Sequence, residues 1–162
     1  MLLRYGTGDR AQVLQFPSKA QECVLLVEDS WHDLLLMSYV LDEQGLRGSV
    51  QCARSGKDAL KILDAARVKG TPRIRGLMID LSLPDMHGSE LADAVQHDPF
   101  FAGMPIIVFS GSTTGLTERE KMSLKHAAIV EKPVKFAEFQ ETFISLLRSL
   151  LVEDQLDERE SA

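Results

Sequence analysis

The sequence predicts an α/β fold, in which helices cover both faces of a doubly wound, five-stranded parallel sheet. Three observations support this prediction. Five short apolar runs recur along the chain, and segments with helical spacing separate them. Several of the runs are apolar at nearly every position, as expected of strands that are buried on both faces. Because right-handed crossovers lay each helix against the sheet, this alternation is typical of a layered domain.

The predicted strands are runs of a few apolar residues bounded by polar or turn-forming residues. In chain order they are CVLLVE (23–28), SVQCA (49–53), GLMID (76–80), PIIVFS (105–110) and AAIVE (127–131). The predicted helices lie between and after these strands, where apolar residues recur at intervals of three and four. They begin near residues 31, 56, 89, 116 and 134.

The last predicted helix has more apolar residues than one narrow face requires. The stripe that would face the sheet consists of Phe136, Phe139, Phe143, Leu146 and Leu150. Three further apolar residues are displaced from this stripe: Ile144, Leu147 and Leu151. They indicate either a broad face packed on the core or a second face buried in a homodimer. We favour the homodimer.

Length and composition narrow the classes of protein. A chain of 162 residues suits one domain over residues 21–148, with an N-terminal extension over 1–20 and a C-terminal helix extension and acidic tail over 149–162. The net charge of -6 argues against nonspecific binding to nucleic acid or anionic membranes. No apolar run approaches the roughly 20 residues of a membrane span, and the two cysteines lack metal-ligand spacing. These features predict a cytoplasmic protein.

Polar side chains end four of the five predicted strands. The first strand ends in Glu28 and Asp29, the third ends at Asp80, the fourth at Ser110, and the fifth runs into Lys132. Sites in open parallel sheets lie at the carboxyl ends of the strands, near the point where the strand order reverses. If the order is 2-1-3-4-5, these side chains face one crevice.

The charges of the predicted crevice favour a bound metal ion. Three carboxylates repel one another unless a cation compensates, and Mg²⁺ takes oxygen ligands. We therefore predict a magnesium ion coordinated in part by Glu28, Asp29 and Asp80. Lys132 would balance the remaining negative charge. Such a site can receive a phosphoryl group. Asp80 would act as the nucleophile and form an aspartyl phosphate, while Lys132 and the Ser110 hydroxyl would stabilise the phosphoryl oxygens.

The ordered motifs resemble the receiver domain of bacterial two-component response regulators. They are Glu28-Asp29 after an apolar strand, MIDLSLPDMHG, PIIVFSGS and VEKPV. The resemblance covers about residues 21 to 148 and includes the spacing from Asp80 to Pro84 and Gly88. It implies a flavodoxin-like fold with strand order 2-1-3-4-5.

The resemblance also implies a role for each site residue. A sensor histidine kinase would phosphorylate Asp80, and a phytochrome is a candidate because small standalone receivers that partner phytochromes are similar to this chain. Glu28 and Asp29 would bind Mg²⁺ with help from the Ser82 backbone carbonyl. The Lys132-Pro133 bond would be cis.

The expected output is protein contact rather than catalysis. By the same resemblance, a homodimer would form through the C-terminal helix or through the face of helix 4, strand 5 and helix 5, without nucleic acid or membrane. The chain would not be an enzyme beyond slow self-dephosphorylation. One position departs from the family, which usually has Tyr or Phe three residues before the lysine. Here it is Ile129, which cannot act as the aromatic switch of activation.

Three alternatives differ from this interpretation. A receiver-like scaffold that is never phosphorylated would have the same fold. A phosphatase of the haloacid-dehalogenase kind has its nucleophile on the first strand in a D-x-D pattern, whereas here the other acids precede Asp80 and position 82 is Ser. A flavin-binding module needs a phosphate-binding loop after its first strand, where EDSWHD would repel the phosphate.

Overall fold

The computed structural model describes residues 22–152, which contain five strands and five α-helices. The strands are β1 (Glu22–Val27), β2 (Val50–Ala53), β3 (Arg73–Ile79), β4 (Ile106–Ser110) and β5 (Ala127–Glu131). The helices are α1 (Trp31–Glu43), α2 (Gly56–Lys69), α3 (Gly88–His97), α4 (Glu118–Ser123) and α5 (Phe136–Leu151). The predicted N-terminal extension and acidic tail lie outside the described residues.

The five strands form one parallel sheet in the order β2-β1-β3-β4-β5, which confirms the predicted fold class and strand order. The chain order reverses between β1 and β3. Val27 pairs with Ile79 across that boundary, so the residues that follow them, Glu28 and Asp80, lie side by side. The sheet therefore brings the predicted site to the topological switch point.

Side chains cap the N-termini of three of the described helices: α1, α2 and α4. Ser30 and Ser55 accept hydrogen bonds from the third residues of α1 and α2. Thr117 and Glu120 form a reciprocal capping box at α4. These caps satisfy backbone N–H groups that have no partner inside a helix, and they explain why each helix starts directly after a strand-end loop.

Each face of the sheet has its own apolar cluster, because successive side chains of a strand point to opposite faces. On one face, Val24, Leu26 and Met78 pack against α1 and α5. On the other, Leu25 and Leu77 belong to a cluster with residues of α2 and α3. The near-continuous apolar strands of the sequence are explained by this two-sided burial.

The last helix packs differently from the sequence-based expectation. Ile144 and Leu147, which were expected to lie away from the core stripe, are buried in the cluster that α5 shares with α1 and the sheet. Leu151 is partly buried against the same cluster. Phe136, by contrast, is 41% exposed. The apolar face of α5 is broad because both the sheet and α1 cover it, so the surplus that suggested a dimer is mostly core.

The peptide bond before Pro133 differs from the expectation. Within residues 22–152 the cis peptide bond is Thr71-Pro72, so the Lys132-Pro133 bond is trans and the prediction of a cis bond was wrong. Lys132 reaches the acids of the crevice with this trans bond.

Over residues 22–152, no helix has both the length and the hydrophobicity needed to cross a bilayer.

Candidate functional site

The backbone ladder positions the four strand ends that carry polar side chains. The Asp80 N–H donates to the Val27 carbonyl at 3.0 Å, and the Lys132 N–H donates to the Ser110 carbonyl at 2.8 Å. These bonds hold β1, β3, β4 and β5 in register up to the crevice. Glu28, Asp80, Ser110 and Lys132 are therefore brought together, as the sequence predicted.

Asp80 is the central side chain of the crevice and is 8% exposed. Its Oδ1 accepts hydrogen bonds from the Ser110 hydroxyl at 2.5 Å and from the Ser82 N–H at 3.3 Å. Its Oδ2 accepts from the Lys132 amine at 3.1 Å. Burial raises the pKa of Asp80, but the bond from Ser110 and the charge of Lys132 outweigh it and hold the pKa below its ordinary value. The carboxylate is therefore ionised at neutral pH.

Lys132 is the cation of the site, and its side chain is only 7% exposed. Its Nζ donates to Glu28 Oε2 at 2.5 Å, to Asp33 Oδ2 at 2.7 Å and to Asp80 Oδ2 at 3.1 Å. Burial disfavours the ammonium, yet the Glu28, Asp33 and Asp80 carboxylates raise the pKa of Lys132 above its ordinary value. The lysine stays charged and links elements β1, α1 and β3.

Glu28 is the most deeply buried acid of the group, at 1% exposure. Its Oε1 accepts from the Ser30 N–H at 2.9 Å, and its other oxygen accepts from Lys132. Burial raises the pKa of Glu28 to about 7, in spite of the neighbouring ammonium, and the charge of Asp80 adds to the rise. A second cation next to Glu28 would stabilise its carboxylate and offset the free-energy cost of burying that charge.

The sequence missed Asp33, which lies in the first turn of α1. Among the described residues, the acids whose carboxylate oxygens lie within 4.8 Å of one another are Glu28, Asp33 and Asp80. Asp29 is not a member of this group; it is half-buried, and its carbonyl accepts a hydrogen bond from Arg54. The signal that could have identified Asp33 is its position three residues after the Ser30 cap, where a helix that starts at a strand end directs a side chain towards that end.

The donor set of the crevice fits a hard divalent cation. Three carboxylates face a single ammonium, and the most buried of them has a raised pKa. Oxygen ligands with excess negative charge are what Mg²⁺ binds in proteins. Ser82 follows Asp80 by two residues and is exposed at the rim, where its backbone carbonyl remains a predicted ligand.

Two residues around the β3–α3 loop hold Asp80 in place. A Cβ on Gly88 would lie 2.4 Å from the Asp80 carbonyl oxygen, so only glycine allows α3 to start so close to the end of β3. The Asp85 carboxylate accepts hydrogen bonds from the N–H groups of Gly56 and Lys57, each at 2.9 Å. It ties the loop after Asp80 to the start of α2. No local pattern indicates this second contact, because it joins residues that are 28 and 29 positions apart in the chain.

Two other proteins are similar to this chain in sequence. A probable methanogenesis regulatory protein, FilR2 of Methanothrix harundinacea, is 27% identical over 119 residues, which are 74% of this chain and 77% of FilR2. A probable cyclic di-GMP phosphodiesterase of Vibrio cholerae is 31% identical over 117 residues. That match covers 71% of this chain but only 24% of the phosphodiesterase, so the chain spans about a quarter of that relative.

Solved structures share the fold. The phosphorylated cyanobacterial phytochrome response regulator RcpA has a TM-score of 0.67 and 22% identity, covering 82% of this chain and 95% of RcpA. The Mn²⁺-bound form of response regulator Rcp1 has a TM-score of 0.65 and 23% identity, with the same coverage. The family model of the response regulator receiver domain matches residues 24–144. With its strand order, its strand-end acids and this match over most of its length, the chain belongs to the response regulator receiver domain family.

Proposed function

We propose that this chain is a single-domain response regulator, which accepts a phosphoryl group on Asp80 from a sensor histidine kinase and signals through altered protein contacts. The observation that carries the proposal is the pair of contacts around Asp80. The Ser110 hydroxyl holds one carboxylate oxygen and the Lys132 amine holds the other. Both groups can donate to the oxygens of a phosphoryl group bound at this place.

Three side chains at the strand ends take part directly in the proposed transfer: Asp80, Ser110 and Lys132. A carboxylate oxygen of Asp80 attacks the phosphorus of a phosphohistidine on the kinase. The phosphorus–nitrogen bond breaks, its electron pair returns to the imidazole ring, and Asp80 becomes an acyl phosphate. The lowered pKa of Asp80 keeps the nucleophile ionised without a general base. Ser110 and Lys132 then orient and neutralise the phosphoryl oxygens.

We propose Mg²⁺ as the cofactor. When bound, it would supply positive charge next to the phosphoryl oxygens. Glu28, Asp33 and Asp80 are the grouped acids that could hold it, and the sequence adds Asp29 and the Ser82 carbonyl as predicted ligands. The Mn²⁺-bound form of Rcp1 supports a divalent cation in a protein of this fold.

An apolar stripe on α1 is the surface that we assign to the kinase. Trp31, Leu35 and Tyr39 recur every four residues on one side of the helix, and each is between 37% and 45% exposed. Phe136 at the start of α5 extends the stripe, since its ring centroid is 6.0 Å from that of Tyr39. Because α1 begins at the crevice, a helix of the kinase that packs on this stripe would bring its phosphohistidine near Asp80. The naming of RcpA as a phytochrome response regulator makes a phytochrome a candidate kinase.

A second exposed surface supports a homodimer. Met122 on α4 is 66% exposed, and Ile129 on the edge strand β5 is 43% exposed. Self-association through α4, β5 and α5 would cover both, and it does not depend on the residues of α5 that pack inside the domain. The net charge of -6 disfavours nucleic acid as the partner of this surface.

Intact mass spectrometry tests the phosphoacceptor role. We expect acetyl phosphate with Mg²⁺ to add one phosphoryl group to the wild-type chain and none to Asp80→Asn, because the amide is not a nucleophile. Asp58→Asn, which changes an exposed aspartate of α2, serves as the control and should gain the same mass as wild type. An equal gain in Asp80→Asn would remove Asp80 from its role. No gain in wild type, with acetyl phosphate or with a kinase, would favour the unphosphorylated scaffold.

A further inference from the structure

The hydrogen-bonding capacity of Lys132 is fully used before any phosphoryl group arrives. An ammonium has three N–H donors, and three carboxylates accept from this one: Glu28, Asp33 and Asp80. The side chain is 7% exposed, so water has little access to it. The phosphoryl oxygens extend beyond the Asp80 carboxylate, so Lys132 must turn towards them and cannot keep all three of its present acceptors.

Of the two acceptors that are not themselves phosphorylated, Asp33 costs less to displace. Glu28 is buried, and losing its ammonium would leave an uncompensated charge inside the protein. The Asp33 side chain is 24% exposed and has another partner, because His32 Nδ1 lies 3.3 Å from its Oδ1. When it leaves Lys132, water and His32 can solvate its carboxylate.

Asp33 also belongs to a closed ring of contacts that includes the start of α1. The Asp33 N–H donates to the Ser30 hydroxyl at 3.3 Å, and the Ser30 N–H donates to Glu28 at 2.9 Å. The Lys132 amine donates both to Glu28 and to the Asp33 carboxylate, which closes the ring. The first turn of α1 is thus tied to the lysine at two points. Removing the Asp33 contact opens the ring and leaves only one.

We infer that Asp33 is a positioning residue through which the phosphorylation state of Asp80 reaches the surface of α1. The inference rests on the proposed function. As the phosphoryl group draws Lys132 away from Asp33, the first turn of α1 is released, and the environment of Trp31 at its first position changes. The exposed stripe of α1 then differs between the two states of the protein, so a partner that binds this stripe distinguishes them.

The tryptophan fluorescence of the full chain tests this inference, since Trp31 is its single tryptophan. Spectra in Mg²⁺ are recorded before and after acetyl phosphate is added, and each change is divided by the phosphorylated fraction from intact mass. We expect a change in wild type that falls about threefold or more in Asp33→Ala, because that variant has no carboxylate to release. Asp33→Ala lacks one of the candidate Mg²⁺ ligands, so it is incubated until its phosphorylated fraction can be measured, and the comparison uses the change per phosphorylated chain.

The chain offers a matched control in Asp58→Ala. Asp58 occupies the same position in α2 as Asp33 in α1: each is the third residue after a serine cap, and its N–H donates to that serine hydroxyl. The control therefore removes the same helix-terminal charge without touching Lys132, and it should behave as wild type. An undiminished change per phosphorylated chain in Asp33→Ala, or an equal reduction in Asp58→Ala, would overturn the inference. A wild-type chain that gains no mass would instead count against the proposed function.

Discussion

At the scale of single residues, the site contains one acid with a lowered pKa, Asp80, and one with a raised pKa, Glu28. Three neighbouring groups favour the ionised form of Asp80, namely the Ser110 hydroxyl, the Lys132 amine and the Ser82 N–H, whereas Glu28 is buried with a single cation that it shares. The two carboxylates lie side by side at the switch point of the sheet and have pKa values shifted in opposite directions. The environment of each side chain, more than its chemical type, separates the nucleophile from the candidate metal ligand.

The raised pKa of Glu28 predicts how stability depends on pH. Because the folded-state pKa of about 7 exceeds the ordinary value of 4.5, the folded protein binds the proton more tightly, and its stability falls as pH rises from about 4.5 to 7. We expect the pH-dependent part to reach about 3 kcal/mol. Urea unfolding at pH 5 and pH 8, without divalent cations, measures it.

Glu28→Gln is the comparison for this measurement. The amide does not titrate, so the stability of the variant should change less between pH 5 and pH 8 than that of wild type. Added Mg²⁺ should stabilise wild type more at pH 8 than at pH 5, because the cation competes with protons for the same carboxylates. If the free energy of unfolding changed equally with pH in wild type and Glu28→Gln, the titration of Glu28 would not be the cause of the pH dependence.

At the scale of elements, the close crossing between the end of β3 and the start of α3 is the tightest backbone contact of the site. Gly88→Ala should destabilise the protein by about 1–3 kcal/mol, because its methyl group would overlap the Asp80 carbonyl and the Leu81 Cα. Chemical denaturation measures the loss. Gly48→Ala is the control, since a Cβ there meets nothing within 4 Å. Equal stability of the two variants would mean that α3 can shift away from β3 at little cost.

The packing of α5 makes a second prediction at this scale. Leu147 is 1% exposed, so Leu147→Ala should lower the free energy of unfolding by about 2–5 kcal/mol through the lost burial and the remaining cavity. The loss should not depend on protein concentration, because the side chain packs within one chain. Unfolding curves at two concentrations tenfold apart check this, with Ser145→Ala on the exposed side of α5 as the control. A concentration-dependent loss would place Leu147 in a dimer interface.

At the scale of the whole molecule, the two candidate contact surfaces are centred on different elements, although both reach α5. The α1 stripe borders the crevice, whereas Met122 and Ile129 lie on α4 and the edge strand β5. A kinase and a second copy of the chain could therefore occupy separate surfaces. With an aliphatic residue at position 129, the link from Lys132 to Asp33 provides a route for the signal that uses no aromatic switch on β5.

The homodimer proposal predicts the effect of a charge on β5. Ile129→Asp should shift the chain towards monomer in sedimentation velocity, because an unpaired charge in the centre of an apolar contact is costly to desolvate. Val68→Asp is the control: Val68 is 83% exposed on α2, which packs on the opposite face of the sheet from α5. Each protein is measured with and without acetyl phosphate. A wild-type monomer under both conditions, or an unaffected Ile129→Asp dimer, would contradict the proposal.

The sequence by itself determined the parallel sheet, the strand order through the family resemblance, and the meeting of Glu28, Asp80, Ser110 and Lys132. These features follow from local patterns, because a residue that ends a parallel strand must lie at the same edge as the ends of its neighbours. Only the tertiary structure decided that Asp33 joins them while Asp29 stays outside the group. It also decided that Ile144 and Leu147 pack in the core. Both outcomes depend on how a helix is rotated about its axis and on which elements flank it. Packing between elements sets that rotation, and the periodicity of the sequence does not specify it.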